Sequence, residues 1–217
     1  MAPLSFLKSC FGFAGSNAHS KAQDSTGEGT SALLDSAGTN TRSTSSGRPC
    51  IFCNIPPMSD PNSPFKVVME NEEAVAFHDR SPKGVLHLLA VPRVHVKDVK
   101  ALQGAEGAAM VQRLVDIGTQ ALDLLESQRP SSSPDTRSES KRRLGFHVPP
   151  LTSVSHLHLH CLVEPLSMLG RMEFPVAPAK PEAKPPLLKG YSWFVEAEQA
   201  RTILQSGKKV TVGKVTA

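Results

Sequence analysis

The chain has 217 residues, of which 39% are hydrophobic and 20% charged, which suits one ordinary domain plus tails and is too short for two full domains. Its formal charge of +4 is an excess spread among many acids, so it makes no nucleic-acid-binding case by itself. No run of about 18 apolar residues is present to span a bilayer as a helix. Cys50 and Cys53 form a C-x-x-C pair while Cys10 and Cys161 stand alone, a pattern unlike a secreted disulfide framework. The expected compartment is therefore reducing, cytoplasmic or nuclear.

Taken in chain order, MAPLSFLKSCFGFAG opens with an apolar patch broken by Lys8 and Gly12, too short for a secretory signal but leaving mitochondrial targeting open. Residues 14–48 are rich in Ser, Gly, Thr, Ala and Asn and cannot bury enough surface to offset ordering, so 1–48 is expected to be a disordered tail. KVVME (66–70), AVAFHD (74–79) and VLHLLAV (85–91) are short β-prone runs bounded by Asn71, Pro82 and Pro92. Between Ala105 and Gln128 the residues Met110, Leu114, Ile117, Ala121 and Leu124 recur at spacings of three and four, one face of an amphipathic helix. RPSSSPDTRSESKRR (129–143) reads as a surface insertion, with Lys141, Arg142 and Arg143 as a solvated charge run. RLGFHV (143–148) and VSHLHLHCLVE (154–164) read as two further strands. APAKPEAKPP (177–186) is again low in complexity, and EAEQARTILQ predicts a short closing helix. The expected fold is α+β: an antiparallel meander sheet with a long helix and a short C-terminal one. The expected domain covers 49–174, and 175–217 is a Pro/Lys-rich linker and C-terminal segment packing on it. Trp193 and Tyr191, each present once, would anchor that segment.

Three of the eight histidines alternate with leucine in HLHLH. On a strand, His156, His158 and His160 would share one face, while Leu157, Leu159 and Leu162 or Val163 pack towards the other. A half-exposed strand that happens to carry histidines is the plain alternative, and a metal bound by all three is another, although only Glu164 offers a nearby carboxylate. The reading favoured by the chemistry is nucleophilic: a neutral imidazole attacks phosphorus, and water then releases the phosphoryl group from the histidine. Cys50 and Cys53 have zinc-ligand spacing but need two more ligands.

The run from His156 to Leu162 resembles the His-φ-His-φ-His-φ-φ motif of the histidine triad (HIT) superfamily of nucleotidyl hydrolases and transferases. CIFC (50–53), AFHDRSP (76–82) and HLLAVPRVH (87–95) resemble further family motifs in the same order, so the resemblance spans about residues 50–165. GFHVPPLTSVSHLHLH and KGYSWFVEAEQ are most similar to the third histidine-triad nucleotide-binding (Hint) branch.

The resemblance implies a HIT-like fold in a homodimeric hydrolase with an AMP-type purine nucleotide substrate. It would cleave nucleoside 5′-phosphoramidates or acyl-adenylates through a nucleotidyl-histidine. His158 would be the nucleophile, His160 would bond the phosphate, His156 would hold the triad, His87 would support it from the neighbouring strand, and Ser153 would lie near the leaving group. Asp79 would accept the ribose hydroxyls, with Phe77 and His78 beside the nucleoside. No cofactor is required for this chemistry, but some relatives join such cysteines to histidines placed like His95 and His156. Cys50, Cys53, His95 and His156 are thus a candidate structural zinc set, with two unligated thiols as the alternative.

The N-x-G segment that supplies an asparagine in many Hint proteins is replaced here by FHVPPLTS, and His147 is not an obvious substitute for it. An aprataxin-like hydrolase of adenylated nucleic-acid ends is one rival. That branch usually carries a C-terminal zinc finger, whereas no Cys or His follows Glu164 here. A weakly catalytic nucleotide-binding adaptor is the other.

Overall fold

A computed structural model describes residues 49–129 and 141–217; the expected N-terminal tail and the middle of the expected insertion lie outside the described residues. Strands β1 (Val67–Glu70), β2 (Ala74–His78) and β3 (Leu86–Pro92) lead through a short 3-10 turn (Val99–Ala101) into helix α1 (Gly104–Ser127). Then come β4 (Arg142–His147), β5 (Leu159–Val163), α2 (Met168–Glu173), β6 (Leu187–Lys189), β7 (Phe194–Glu196), α3 (Ala197–Gln205) and β8 (Val215–Thr216). The fold is α+β, as the alternation of patterns predicts.

Six strands form one sheet in the order β1-β2-β3-β5-β4-β7, every neighbouring pair antiparallel; β6 and β8 make a separate pair. The meander of the first three strands therefore continues into β5 and not β4, which places the histidine strand at the centre of the sheet. Alternation explains both faces. Ala74, Ala76, Leu88, Ala90, Leu159, Cys161 and Val163 point into the main core with α1 and α3. From the same three strands, Val75, Phe77, Leu89 and Val91 point to the other face with Phe52, as does Leu162 with Phe174 and Phe194. Leu162 thus lies on the histidine side of its strand, and of the two residues offered for the opposite face only Val163 belongs there.

Helix α1 buries Val111, Leu114, Ile117, Gly118, Ala121 and Leu122. Its stripe is rotated slightly from the expected one, since Leu124 is exposed and Met110 only partly covered. Gly118 is where the helix touches the sheet: a Cβ added there would lie 2.5 Å from Cys161 Sγ.

Four sequence expectations are corrected by the structure. Arg142 and Arg143 are not solvated loop but the first residues of β4; Arg142 pairs with Asp123 and Glu126 on α1, and Arg143 with Glu164 at 2.7 Å. Residues 177–186 are folded, with Lys180 bridging to Leu187 and the Gln199 amide donating to the Ala177 carbonyl at 2.8 Å. The segment after 175 does more than pack on the domain, because β7 is a strand of its sheet. Tyr191 is 67% exposed and anchors nothing. Its neighbourhood is held instead by Lys189, fully buried, whose ammonium donates to the carbonyls of Gly190, Ser192 and Val212.

Candidate active site

Strand β5 begins only at Leu159, so His156 and His158 precede it on a connecting segment and the three histidines do not stand on one regular strand. That segment is tied to the chain leaving β3. The Leu157 amide donates to the Val96 carbonyl at 2.7 Å, and His156 Nε2–H donates to the Pro92 carbonyl at 2.9 Å. Alternation still turns Leu157 into the main core and the histidines the other way. All three are nonetheless buried, which removes the half-exposed strand as an explanation.

The triad divides between two clusters. His156 faces away from its companions: its Nδ1 lies 3.3 Å from Cys50 Sγ and 3.6 Å from Cys53 Sγ, while His95 Nδ1 lies 3.2 Å from Cys53 Sγ. The four donor atoms of Cys50, Cys53, His95 and His156 all fall within 4.8 Å of one another. Tetrahedral zinc with Zn–N and Zn–S bonds of about 2.0–2.3 Å sets its ligand atoms roughly 3.3–3.8 Å apart, so the set fits such an ion. The bond to Pro92 reinforces this, because it puts the proton on Nε2 and turns the bare Nδ1 towards the thiols. The residues therefore could hold a metal.

His158 has the opposite tautomer. Its Nδ1–H donates to the His156 carbonyl at 2.6 Å, leaving Nε2 without a proton. Burial lowers its pKa, so the ring is neutral at pH 7. Phe52 packs edge-on against both His156 and His158.

The second cluster is a row of three imidazoles. In the β3–β5 register His87 stands opposite Leu162 and Leu89 opposite His160, so His87 and His160 are diagonal neighbours on one face. His87 Nε2 is 3.0 Å from His160 Nδ1 and 3.6 Å from Asp79 Oδ2. From the other side β4 pairs Gly145 with His160, and His147, two residues on, brings its Nδ1 to 3.1 Å from His160 Nε2. His147 Nε2 in turn meets the Glu173 carbonyl at 2.9 Å. Phe174 packs against all three rings. Burial pushes His87 down to about 4, and it lowers His147 and His160 as well.

A cavity of about 530 Å³ opens on these groups. Asp79, His87, His147, Ser153, His158 and His160 line it, with Leu151, Leu169, Met172 and Trp193 as an apolar wall. Phe77 and His78, expected beside the nucleoside, are not among its lining residues: Phe77 is buried against Phe52 and Phe65, and His78 is half-buried at the end of β2. Cys161 sits on the helix side, where burial pushes its thiol up to about 12, so it packs and does not react. Sequence reasoning set His147 aside as a substitute for the absent asparagine and gave Trp193 only an anchoring role, whereas both line the cavity. The signal for His147 was its place in FHVPPLTS, the segment that stands where N-x-G is absent; for Trp193, whose indole N–H donates to the same Glu173 carbonyl at 3.3 Å, it was its being the single tryptophan.

The family model described as scavenger mRNA decapping enzyme C-term binding matches residues 49–173. The chain belongs to this HIT family. Among HIT relatives, it is 35% identical over 117 residues to the bifunctional adenosine 5′-phosphosulfate phosphorylase/adenylylsulfatase HINT4 of Arabidopsis thaliana, covering 54% of this chain and 70% of that one. It is 29% identical over 159 residues to the adenosine 5′-monophosphoramidase HINT3 of Danio rerio, covering 73% and 84%. A solved HIT family hydrolase from Clostridium thermocellum aligns with a TM-score of 0.41 and 21% identity, over 54% of this chain and 90% of that one.

Proposed function

We propose that the chain hydrolyses adenosine 5′-phosphoramidates and acyl-adenylates through a nucleotidyl-histidine at His158. The observation that carries this reading is the 2.6 Å bond from His158 Nδ1–H to the His156 carbonyl, which leaves a neutral, bare Nε2 on the wall of the cavity. Such a nitrogen can form a bond to phosphorus while the bond to the leaving amine or carboxylate breaks. An amine departs with a proton taken from water, which the hydrolysis step gives back, and Ser153, on the cavity wall, would lie near it. Water then attacks phosphorus, the N–P bond breaks, and His158 returns to its neutral form as AMP leaves. Relatives named adenosine 5′-monophosphoramidase and adenylylsulfatase support adenosine and an exchangeable leaving group.

The cysteine-histidine cluster is read as a structural zinc site that would hold the CIFC segment against the connection bearing His156. Assembly as a homodimer is part of the same reading and rests on the family resemblance alone; sedimentation of the purified chain tests it.

The deciding experiment is turnover of adenosine 5′-phosphoramidate by wild type and His158→Ala, with trapping of the adenylylated protein without acid. Turnover and adduct together, both lost in the variant, support the reading. Turnover that survives in His158→Ala overturns it, and nucleotide binding without turnover moves the assignment to a binding adaptor.

A further inference from the structure

The row His87, His160, His147 has one consistent set of proton positions. The Glu173 carbonyl only accepts, so His147 Nε2, 2.9 Å away, carries a proton and its Nδ1 is bare. His160 Nε2, 3.1 Å from that bare nitrogen, must then carry a proton, which leaves its Nδ1 to accept from His87 Nε2–H at 3.0 Å. At the far end the Lys83 backbone N–H, a donor only, faces His87 Nδ1 at 3.3 Å. A donor at one end and an acceptor at the other impose the same direction on every bond between them. Phe174 and Phe194 pack against the row on one side, and the cavity lies along the other.

We propose that His147 is a positioning residue for the reaction at His158: it fixes His160 as the Nε2–H tautomer, so that this N–H can pass from His147 Nδ1 to a phosphoryl oxygen when substrate is bound. The inference rests on the hydrolase reading above. His160 lies beside the nucleophile, with ring centroids 5.1 Å apart. Phosphate bonded to His158 Nε2 would find a donor on His160 only if the Nε2 edge carries the proton. The opposite tautomer would set two bare nitrogens against each other at His147 and two N–H groups against each other at His87. With the proton already on Nε2, meeting the developing charge takes a change of acceptor from His147 Nδ1 to the phosphoryl oxygen and no proton transfer along the row.

The test compares wild type, His147→Asn and His147→Phe. The Asn amide oxygen takes the place of Nδ1 as acceptor, whereas Phe keeps the ring shape and accepts nothing. Nitrogen-15 imidazole spectra read the His160 tautomer, and steady-state kinetics with adenosine 5′-phosphoramidate separate kcat from KM. The expected result is a uniform Nε2–H tautomer at His160 in wild type and His147→Asn, lost in His147→Phe. With it, kcat in His147→Phe falls on the order of a hundredfold, KM hardly moves, and Asn recovers most of the rate. A His147→Phe enzyme with wild-type kcat overturns the proposal. So does a rate loss with the tautomer unchanged, which would mean that His147 touches the substrate directly. Wild type that shows the tautomer but no turnover overturns the hydrolase reading and leaves the proton assignment standing.

Discussion

The carbonyl of His156 accepts the Nδ1–H of His158 at 2.6 Å, while the side chain of the same His156 turns away to the thiols of Cys50 and Cys53. One residue thus serves two sites by two different groups, and they can be separated by mutation. His156→Ala removes the imidazole but keeps the carbonyl. Its kcat is expected to fall less than that of His158→Ala, while its metal content falls as far as that of Cys53→Ser. Native mass spectrometry and kinetics on the three variants check this. Equal loss of turnover in both histidine variants would refute the separation.

Zinc bound in the proposed site would add its binding free energy to folding. Purified protein is expected to carry about one zinc per chain. Chelation should lower Tm, and Cys50→Ser should remove the response to chelator. Protein prepared in zinc-supplemented medium that contains no zinc by elemental analysis would sink the site.

Stability should depend on pH through the buried imidazole row. His87 is held at about 4 when folded, against about 6.5 when unfolded, so the unfolded chain takes up a proton in acid that the folded chain refuses. Its contribution is complete above the unfolded value and is lost as pH falls from about 6.5 towards 4, amounting to roughly 3 kcal/mol at the lower end. His147 and His160 shift the same way and steepen the slope. Urea unfolding at pH 7, 6 and 5 should show midpoints that fall steadily; a flat series would contradict the burial of these rings.

At the contact between helix and sheet, Gly118→Ala should cost about 1–3 kcal/mol by overpacking, despite the better helix propensity of alanine. The cause is Cys161 Sγ, 2.5 Å from the new methyl position. The double variant Gly118→Ala, Cys161→Ala is therefore expected to be more stable than the sum of its single losses predicts. Additive losses in denaturant unfolding would rule out this contact as the cause.

For the nucleotide, Asp79 is the test position. One carboxylate oxygen accepts from the Ser81 amide at 2.7 Å, and the residue lines the cavity. Asp79→Asn keeps an acceptor for Ser81 and removes the charge. KM for adenosine 5′-phosphoramidate should rise on the order of tenfold, and the preference for ribose over 2′-deoxyribose should shrink. An unchanged ribose preference would detach Asp79 from the sugar.

Much of this was legible because it follows from local spacing. The alternation HLHLH sends leucines into the core and histidines to the other face whether or not the strand is regular, and the C-x-x-C spacing holds two thiols together in any loop. His147 was weighed but given no role, because nothing local says how GFHV meets the triad. That depends on β5 inserting between β3 and β4, a matter of sheet order. Arg142 and Arg143 misled for a related reason: their sequence neighbours are serines, but their partners are carboxylates 16 to 21 residues away. Lys189 looked like one more lysine in a Pro/Lys-rich segment, and only the convergence of three carbonyls on its ammonium makes its burial tolerable.

Strand β7, only three residues long, closes off the edge of β4, with Gly145, Phe146 and His147 paired to Glu196, Val195 and Phe194. A visiting chain cannot pair with β4 without first prising this strand loose, and doing so would disturb the strand that carries His147. The C-terminal region therefore acts as a stopper as well as a wall: it shields β4 from unwanted strand pairing and keeps a ring of the candidate active site in place with the same three residues.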